Sequence, residues 1–246
     1  MKILSVNGTE YEIEKEGAET SLKYKAVIFD LFETLITEWG HEKYTKSKMC
    51  ADLGVDRDQF NIYWEEKEQE RYLGDIDFED SIIYACTKCD KSIDKALMSR
   101  IAEKRKETKS KCFEFINQDV FRLLATIRNI GLKTAIISNC TSEEVEALKS
   151  SEIYKYFDEI LLSCEVHMKK PDSCIYEETA ERLGADPAEC IFVGDGGSNE
   201  LEGAQAVGMK TVQAKWYTNQ HPVKRESKDG FSVAEEPMEI VNYLRG

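Results

Sequence analysis

The feature that most constrains this chain is a short apolar run, Tyr24-Lys25-Ala26-Val27-Ile28-Phe29, that stops at an acidic residue, Asp30. A run of this length without polar alternation suits a strand buried on both faces, as in a parallel sheet. Such a strand needs parallel neighbours and a layer of helices on each side, and the downstream sequence provides both. A helical pattern through Val120, Leu124 and Ile127 stops at Gly131, and the segment KTAIISN over 133–139 predicts a strand. Thr141 and Glu144 have capping-box spacing, which opens a helix directly behind that strand. A third strand is predicted over 157–166, and Ile175, Thr179 and Leu183 line a helix ending at Gly184. CIFVGD over 190–195 predicts a fourth strand, 199–207 a helix and 210–216 a fifth strand. Repeated β-then-α units imply an α/β fold, a Rossmann-like parallel sheet covered on both faces.

Between the first strand and the rest the period changes. Phe60 and Trp64, then Phe78, Ile82 and Cys86, then Ile93, Leu97 and Ile101 recur at four-residue spacing, with Gly54 and Gly74 as punctuation. Residues 37–112 therefore read as a helical module inserted into an α/β core formed by 24–36 and 113–246. Ahead of the core, Ile3–Val6 and residues 9–13 flank Asn7-Gly8, the favoured pair for a two-residue turn, so 1–23 reads as a β-hairpin extension.

Composition excludes some partners. Lysine and arginine number 33 against 47 aspartates and glutamates, a formal charge of −14. That field repels phosphate backbones and anionic lipid, so neither nucleic acid nor a membrane is expected as partner. The first residues lack the apolar core of a signal peptide, and no apolar run approaches the roughly 18 to 20 residues a membrane span needs. A cytoplasmic location is the expectation. The eight cysteines are scattered through helix- and strand-like segments of a chain too large to need staples. Cys86 and Cys89 form a lone CxxC with no second pair and no nearby histidine, and read as reduced thiols rather than a zinc site.

In parallel α/β sheets ligands bind beyond the carboxyl ends of the strands. Four predicted strand ends carry polar or reactive residues: Asp30, Ser138-Asn139, the segment 167–170, and Asp195. Taken singly, each has a plain explanation as a turn residue, a helix cap or solvated charge. Together they converge on one edge of the sheet.

Four segments in order, FDLFETL over 29–35, IISN over 136–139, Lys170-Pro171-Asp172, and VGDGGSNE over 193–200, resemble the motifs of the haloacid dehalogenase superfamily, hydrolases that use an aspartate nucleophile. The inserted module resembles that family's α-helical cap. The resemblance implies a magnesium-dependent, phosphatase-like hydrolase acting on a small phosphorylated molecule. Asp30 would attack phosphorus and form an aspartyl-phosphate. A carboxylate and a phosphate repel by about 4 kcal/mol at 4 Å and an effective dielectric near 20, an obstacle that Mg2+ offsets. Asp30, Asp195 and the carbonyl of Phe32 would hold the metal, with Glu200 in support. Ser138, Asn139 and Lys170 would bind the substrate. Lys170 also adds positive charge to the transition state, and is preferred over Lys169 because the family's lysine directly precedes proline.

Two residues depart from the family pattern. Phe32 stands where phosphatases carry an aspartate as general acid, worth roughly 100- to 10,000-fold. Dehalogenases of the family also carry an aromatic residue there, but they need no metal and lack an aspartate matching Asp195. Glu33 stands where glycine is usual, either as a replacement acid or facing away. Two alternatives therefore stand beside the phosphatase reading: cleavage of a carbon–halogen bond by the same aspartate, and a non-catalytic binding protein that kept the fold.

Overall fold

The computed structural model describes residues 2–6, 9–13, 22–219 and 224–244. Strands β1 (Lys2–Val6) and β2 (Thr9–Ile13) pair antiparallel in a sheet of their own, with Val6 opposite Thr9. The Asn7-Gly8 turn expected between them lies outside the described residues.

The core is a six-stranded parallel sheet of β3 (Ala26–Phe29), β4 (Lys133–Ser138), β5 (Glu159–Leu162), β6 (Cys190–Gly194), β7 (Lys210–Ala214) and β8 (Ser232–Ala234). Their spatial order is β5-β4-β3-β6-β7-β8. The chain thus starts in the middle, builds outward through β4 and β5, then returns to the other side of β3 with β6. Such a reversal opens a crevice at the carboxyl end of the sheet, here between β3 and its neighbours. The register fixes what meets there, because Phe29 is opposite both Ile136 and Val193.

Every residue of β3 is fully buried, and alternation sorts them into two cores. Val27 and Phe29 pack with Leu123, Leu124 and Ile127 of helix α6 (Gln118–Asn129), whereas Ala26 and Ile28 pack with Ile175 and Tyr176 of α9 (Ser173–Arg182). The uninterrupted apolar run in the sequence reflects this two-sided burial.

Five helices lie between β3 and α6: α1 (Lys46–Leu53), α2 (Arg57–Glu66), α3 (Glu68–Leu73), α4 (Phe78–Lys88) and α5 (Lys95–Lys111). Asp56, Asp77 and Asp94 cap α2, α4 and α5 by accepting backbone N–H bonds. The helices share a buried cluster that includes Phe60, Phe78, Ile82, Cys86, Met98 and Ile101, and Trp64 stacks on Phe60 at 5.6 Å. At the end of α3, Gly74 has φ +72°, and a Cβ there would collide with the carbonyl of Cys164. Only glycine allows the backbones to approach this closely.

The structure corrects the predicted third strand. It ends at Leu162, and α8 (Ser163–Val166) follows. Ser163 Oγ accepts from Cys140 N at 3.0 Å and contacts Cys140 O at 3.2 Å as donor. The hydroxyl takes the backbone groups that a longer strand pair would have used, and the apolar pattern could not reveal it. Strand β8 was not anticipated, since its three residues give no periodicity. Beyond β4, α7 (Ser142–Lys149) opens with the capping box of Thr141 and Glu144. Two further helices are α10 (Glu200–Ala206) and α11 (Ile240–Tyr243). No described helix is long and apolar enough to cross a membrane. All eight cysteines are free thiols, Cys86 buried and Cys89 half-buried.

Candidate active site

Asp30 follows the last residue of β3, Ser138 ends β4, and Asp195 follows β6. They line one cleft of ≈ 320 Å³, together with Phe32, Glu33, Asn139, Lys170, Glu200 and Arg225. A larger depression of ≈ 450 Å³ over Tyr44 and Thr108 contains only lysines held in ion pairs, such as Lys48–Glu42 and Lys104–Asp52, so it presents no uncommitted charge.

Lys170 is the centre of the cleft's electrostatics. Its ammonium, 2% exposed at the side chain, bonds Asp30 Oδ1 and lies 2.6 Å from Glu200 Oε2. The backbone of Lys170 is held in turn by Asn139, whose amide donates to the Lys170 carbonyl and accepts from its N–H, both at 2.8 Å. Burial would lower the lysine's pKa, but the charges of Asp30 and Glu200 outweigh it and hold the ammonium charged. Two carboxylates share that one cation. Burial, with Asp195 adding repulsion, raises Asp30 despite its lysine, and burial together with the charge of Asp30 pushes Glu200 up to about 8.

The other carboxylate oxygens are also held. Thr34 Oγ1 donates to Asp30 Oδ2 at 2.9 Å, and Trp216 Nε1 secures the Thr34 carbonyl at 2.7 Å. Gly197 N donates to Asp195 Oδ1 at 2.8 Å and Gly196 N to Glu200 Oε1 at 3.0 Å. Asp195 Oδ2 receives Arg225 Nε at 2.5 Å. Gly194 leaves room for Glu200, since a Cβ there would collide with its carboxylate.

Asp30, Asp195 and Glu200 each offer an oxygen within 4.8 Å of the others, and all three are buried. Hard carboxylate donors converging in this way fit Mg2+ in chemistry and in span, and each carboxylate keeps lone-pair capacity beyond the bonds above. Ser138 adds an independent sign of a ligand site: its Oγ is buried, faces the cleft and has no hydrogen-bond partner in the protein. Buried hydroxyls are ordinarily satisfied, so this one is poised for an incoming group.

Phe32 lines the cleft, and the ammonium of Lys109 lies 4.9 Å above its ring. Lys109 is itself buried between Glu38 and Glu144, the latter at 2.5 Å. Glu33 adopts φ 59° and also lines the cleft, its carboxylate held by Thr37 Oγ1 at 2.7 Å and Glu38 N at 2.9 Å. Trp39 is a further wall of the cleft, whereas Tyr63 and Trp64 pack on the helical cluster and His41 Nε2 contacts Cys112 Sγ.

The structure thus brings together Asp30, Phe32, Ser138, Asn139, Lys170, Asp195 and Glu200. Lys169 lies outside this lining. The sequence reading missed Arg225, which sits in a polar loop with no motif. Its position comes from Gln213, which bonds the carbonyls of Asp195 and Glu226 at 3.1 Å each, and from Lys215, which bonds the Arg225 carbonyl. Gln213 lies in β7 and Lys215 directly follows it, and neither marks the position of Arg225 in the sequence.

The comparisons agree with this fold. The family model described as haloacid dehalogenase-like hydrolase matches residues 24–208. A glyceraldehyde 3-phosphate phosphatase of Methanopyrus kandleri is 31% identical over 130 residues, 52% of this chain and 55% of the relative, so the match spans about half of that protein's length. A putative pyrophosphatase, PpaX, of Clostridium perfringens is 27% identical over 226 residues, covering 89% of this chain and 97% of the relative. Among solved structures, a 2-haloacid dehalogenase of Pseudomonas syringae pv. Tomato DC3000 superposes with a TM-score of 0.67 at 18% identity, covering 90% of this chain and 98% of that one. Motif order, sheet topology and the family match coincide: the chain belongs to the haloacid dehalogenase-like hydrolases.

Proposed function

We propose that the protein is a magnesium-dependent phosphatase acting on a small phosphorylated molecule, with Asp30 as nucleophile. The observation that carries this reading is the convergence of Asp30, Asp195 and Glu200 beside the unpartnered Ser138 Oγ. Asp30, Asp195 and Glu200 would hold Mg2+, with the Phe32 carbonyl as a further ligand. The bound cation would neutralise phosphate charge and offset the repulsion between the phosphate and Asp30.

Asp30 attacks phosphorus, and the leaving oxygen departs as an aspartyl-phosphate forms; water then releases phosphate. Ser138 Oγ donates to a phosphate oxygen, and Asn139 fixes the backbone of Lys170. Lys170 provides a preorganised positive charge for the transition state. Arg225, at the cleft rim, adds a second cation against the acidic field of the whole chain. The helices over 37–112 act as a cap whose Trp39 side approaches the substrate. With Phe32 and not an acid beside the leaving group, aryl and acyl phosphates are the expected substrate class. The names of the phosphatase and pyrophosphatase relatives support phosphoryl chemistry.

One observation favours a second reading: aromatic Phe32 matches a dehalogenase, in which the same Asp30 would displace halide without metal. A panel of phosphate esters, acyl phosphates and 2-haloacids, each assayed with Mg2+ and with chelator, separates the two. Mg2+-dependent release of phosphate is expected. Halide release insensitive to chelator would replace this proposal with the second.

A further inference from the structure

Cys140 and Cys164 stand immediately outside the cleft, and their sulfurs lie 3.7 Å apart. Each lies two residues beyond Ser138 and Leu162, the last register pair of the neighbouring strands β4 and β5. Ser163 Oγ holds the two strand ends together beyond the ladder through its bonds to Cys140. Cys140 is buried and Cys164 is half-buried, so one sulfur can be reached by a small oxidant while the other waits behind it.

We propose that Cys140 and Cys164 form a redox modification site, a dithiol that a peroxide converts reversibly into an intrachain disulfide. Cys164 is the attacking thiol. The hydrogen bond from Cys140 stabilises its thiolate and lowers its pKa, while Cys140 is held protonated by that same bond and by burial. The Cys164 thiolate attacks one peroxide oxygen and the O–O bond breaks. The released hydroxide takes a proton and becomes water, leaving a sulfenic acid on Cys164. The Cys140 sulfur then attacks that sulfur, the S–S bond forms, and the sulfenic oxygen leaves as a second water carrying the Cys140 proton. Two thiols lose two electrons in total, and the peroxide is reduced to two waters.

Closing the sulfurs from 3.7 Å to about 2.05 Å strains two attachments. Asn139, next to Cys140, grips both backbone groups of Lys170. The carbonyl of Cys164 fills the space left by Gly74 of the helical insertion, and His167 Nδ1 lies 2.6 Å from the Leu73 carbonyl. Oxidation therefore pulls on the support of Lys170 and on the seat of the insertion at once. A displacement of this order at a catalytic support costs roughly 10- to 100-fold in rate. That consequence, unlike the disulfide itself, rests on the phosphatase reading.

The test treats the full chain with hydrogen peroxide, then digests it without reductant. The expected result is a Cys140–Cys164 linked peptide, loss of two of the eight titratable thiols, and recovery of both with dithiothreitol. Cys140→Ser and Cys164→Ser, treated alike, should yield no link at these positions. A different pairing, a lone oxidised Cys164 with Cys140 still free, or no thiol loss overturns the site. In enzyme active before treatment, turnover should fall about tenfold or more and return with reductant; unchanged turnover in fully linked protein overturns the regulatory role. An enzyme silent before treatment counts against the phosphatase reading alone, because the linked peptide is read without turnover.

Discussion

The guanidinium of Arg225 rests on Asp195, Nε to Oδ2 at 2.5 Å, so a side chain expected to hold the metal is already paired with a cation. Arg225 is partly solvated while Asp195 is buried, which limits what the pair contributes. Mg2+ must compete with it. Arg225→Gln should tighten Mg2+ binding by about 2- to 5-fold, the scale of a half-exposed ion pair, as read by calorimetric titration. The same substitution should raise KM for an anionic substrate. Weaker Mg2+ binding in the variant would show that Arg225 supports the metal site instead.

Asp30→Asn keeps the shape of the nucleophile and its bond with Thr34 but cannot attack phosphorus. Turnover should fall by at least about a thousandfold, with the thermal midpoint little changed. Mass spectrometry of acid-quenched enzyme should find phosphate on Asp30 in the wild type and none in the variant. A phosphorylated peptide from another part of the chain would assign the nucleophile elsewhere.

Phe32→Asp should selectively raise hydrolysis of alkyl phosphates, by up to roughly 100-fold, and leave aryl and acyl phosphates nearly unchanged. The structure adds a restraint. Lys109 lies over this position, and a lysine beside a new aspartate favours its ionised form, which cannot donate a proton. The gain should therefore fall well short of that ceiling. Fast alkyl phosphate turnover by wild type that persists in Glu33→Gln would place the acid elsewhere in the cleft.

Lys109 bonds Glu38 and Glu144 and is buried, so Lys109→Met removes the cation the two carboxylates share and leaves Glu38 only the longer pair with Lys43 at 3.6 Å. The expected loss is about 2 to 4 kcal/mol in urea unfolding, somewhat below the usual figure for a broken buried pair because Glu38 is partly solvated. Burial would raise Glu38, but the ammonium outweighs it and holds the carboxyl below its usual value. A depressed carboxylate contributes stability above its unfolded pKa, near 4.3, and loses it as pH falls through the folded value. Wild type should therefore lose stability on acidification below about pH 4.3 more steeply than Lys109→Met does.

How much of this was legible in sequence depends on whether the signal was local. Strands β3 and β6 were readable because two-sided burial forces an apolar run, and Asp30 and Asp195 were readable because each ends one. Ser163 defeated the reading of β5: a side-chain hydroxyl capturing the Cys140 backbone leaves the apolar pattern intact while ending the strand. Arg225 was out of reach for a different reason. Its place is set by Gln213 near the end of β7 and Lys215 just beyond it, ten residues or more earlier, and no periodicity encodes that bond. The role of Lys109 depends on α5 meeting α7, a tertiary contact between segments that look independently solvated.

The register that sets Phe29 opposite Val193 makes the spacing of Asp30 and Asp195 a property of the sheet. Neighbouring strands are held about 4.8 Å apart by their ladder, so the two carboxylates stay in place whatever the connecting segments do. Everything that frames them comes from elsewhere: Trp39 from the path into the helices, Arg225 from the turn after β7, Lys170 from the segment after β5. Those framing pieces can be lengthened, exchanged or redesigned as fittings on a fixed mount. New specificities should therefore be obtained most readily by grafting segments at this edge, with the strands that carry the acidic pair left untouched.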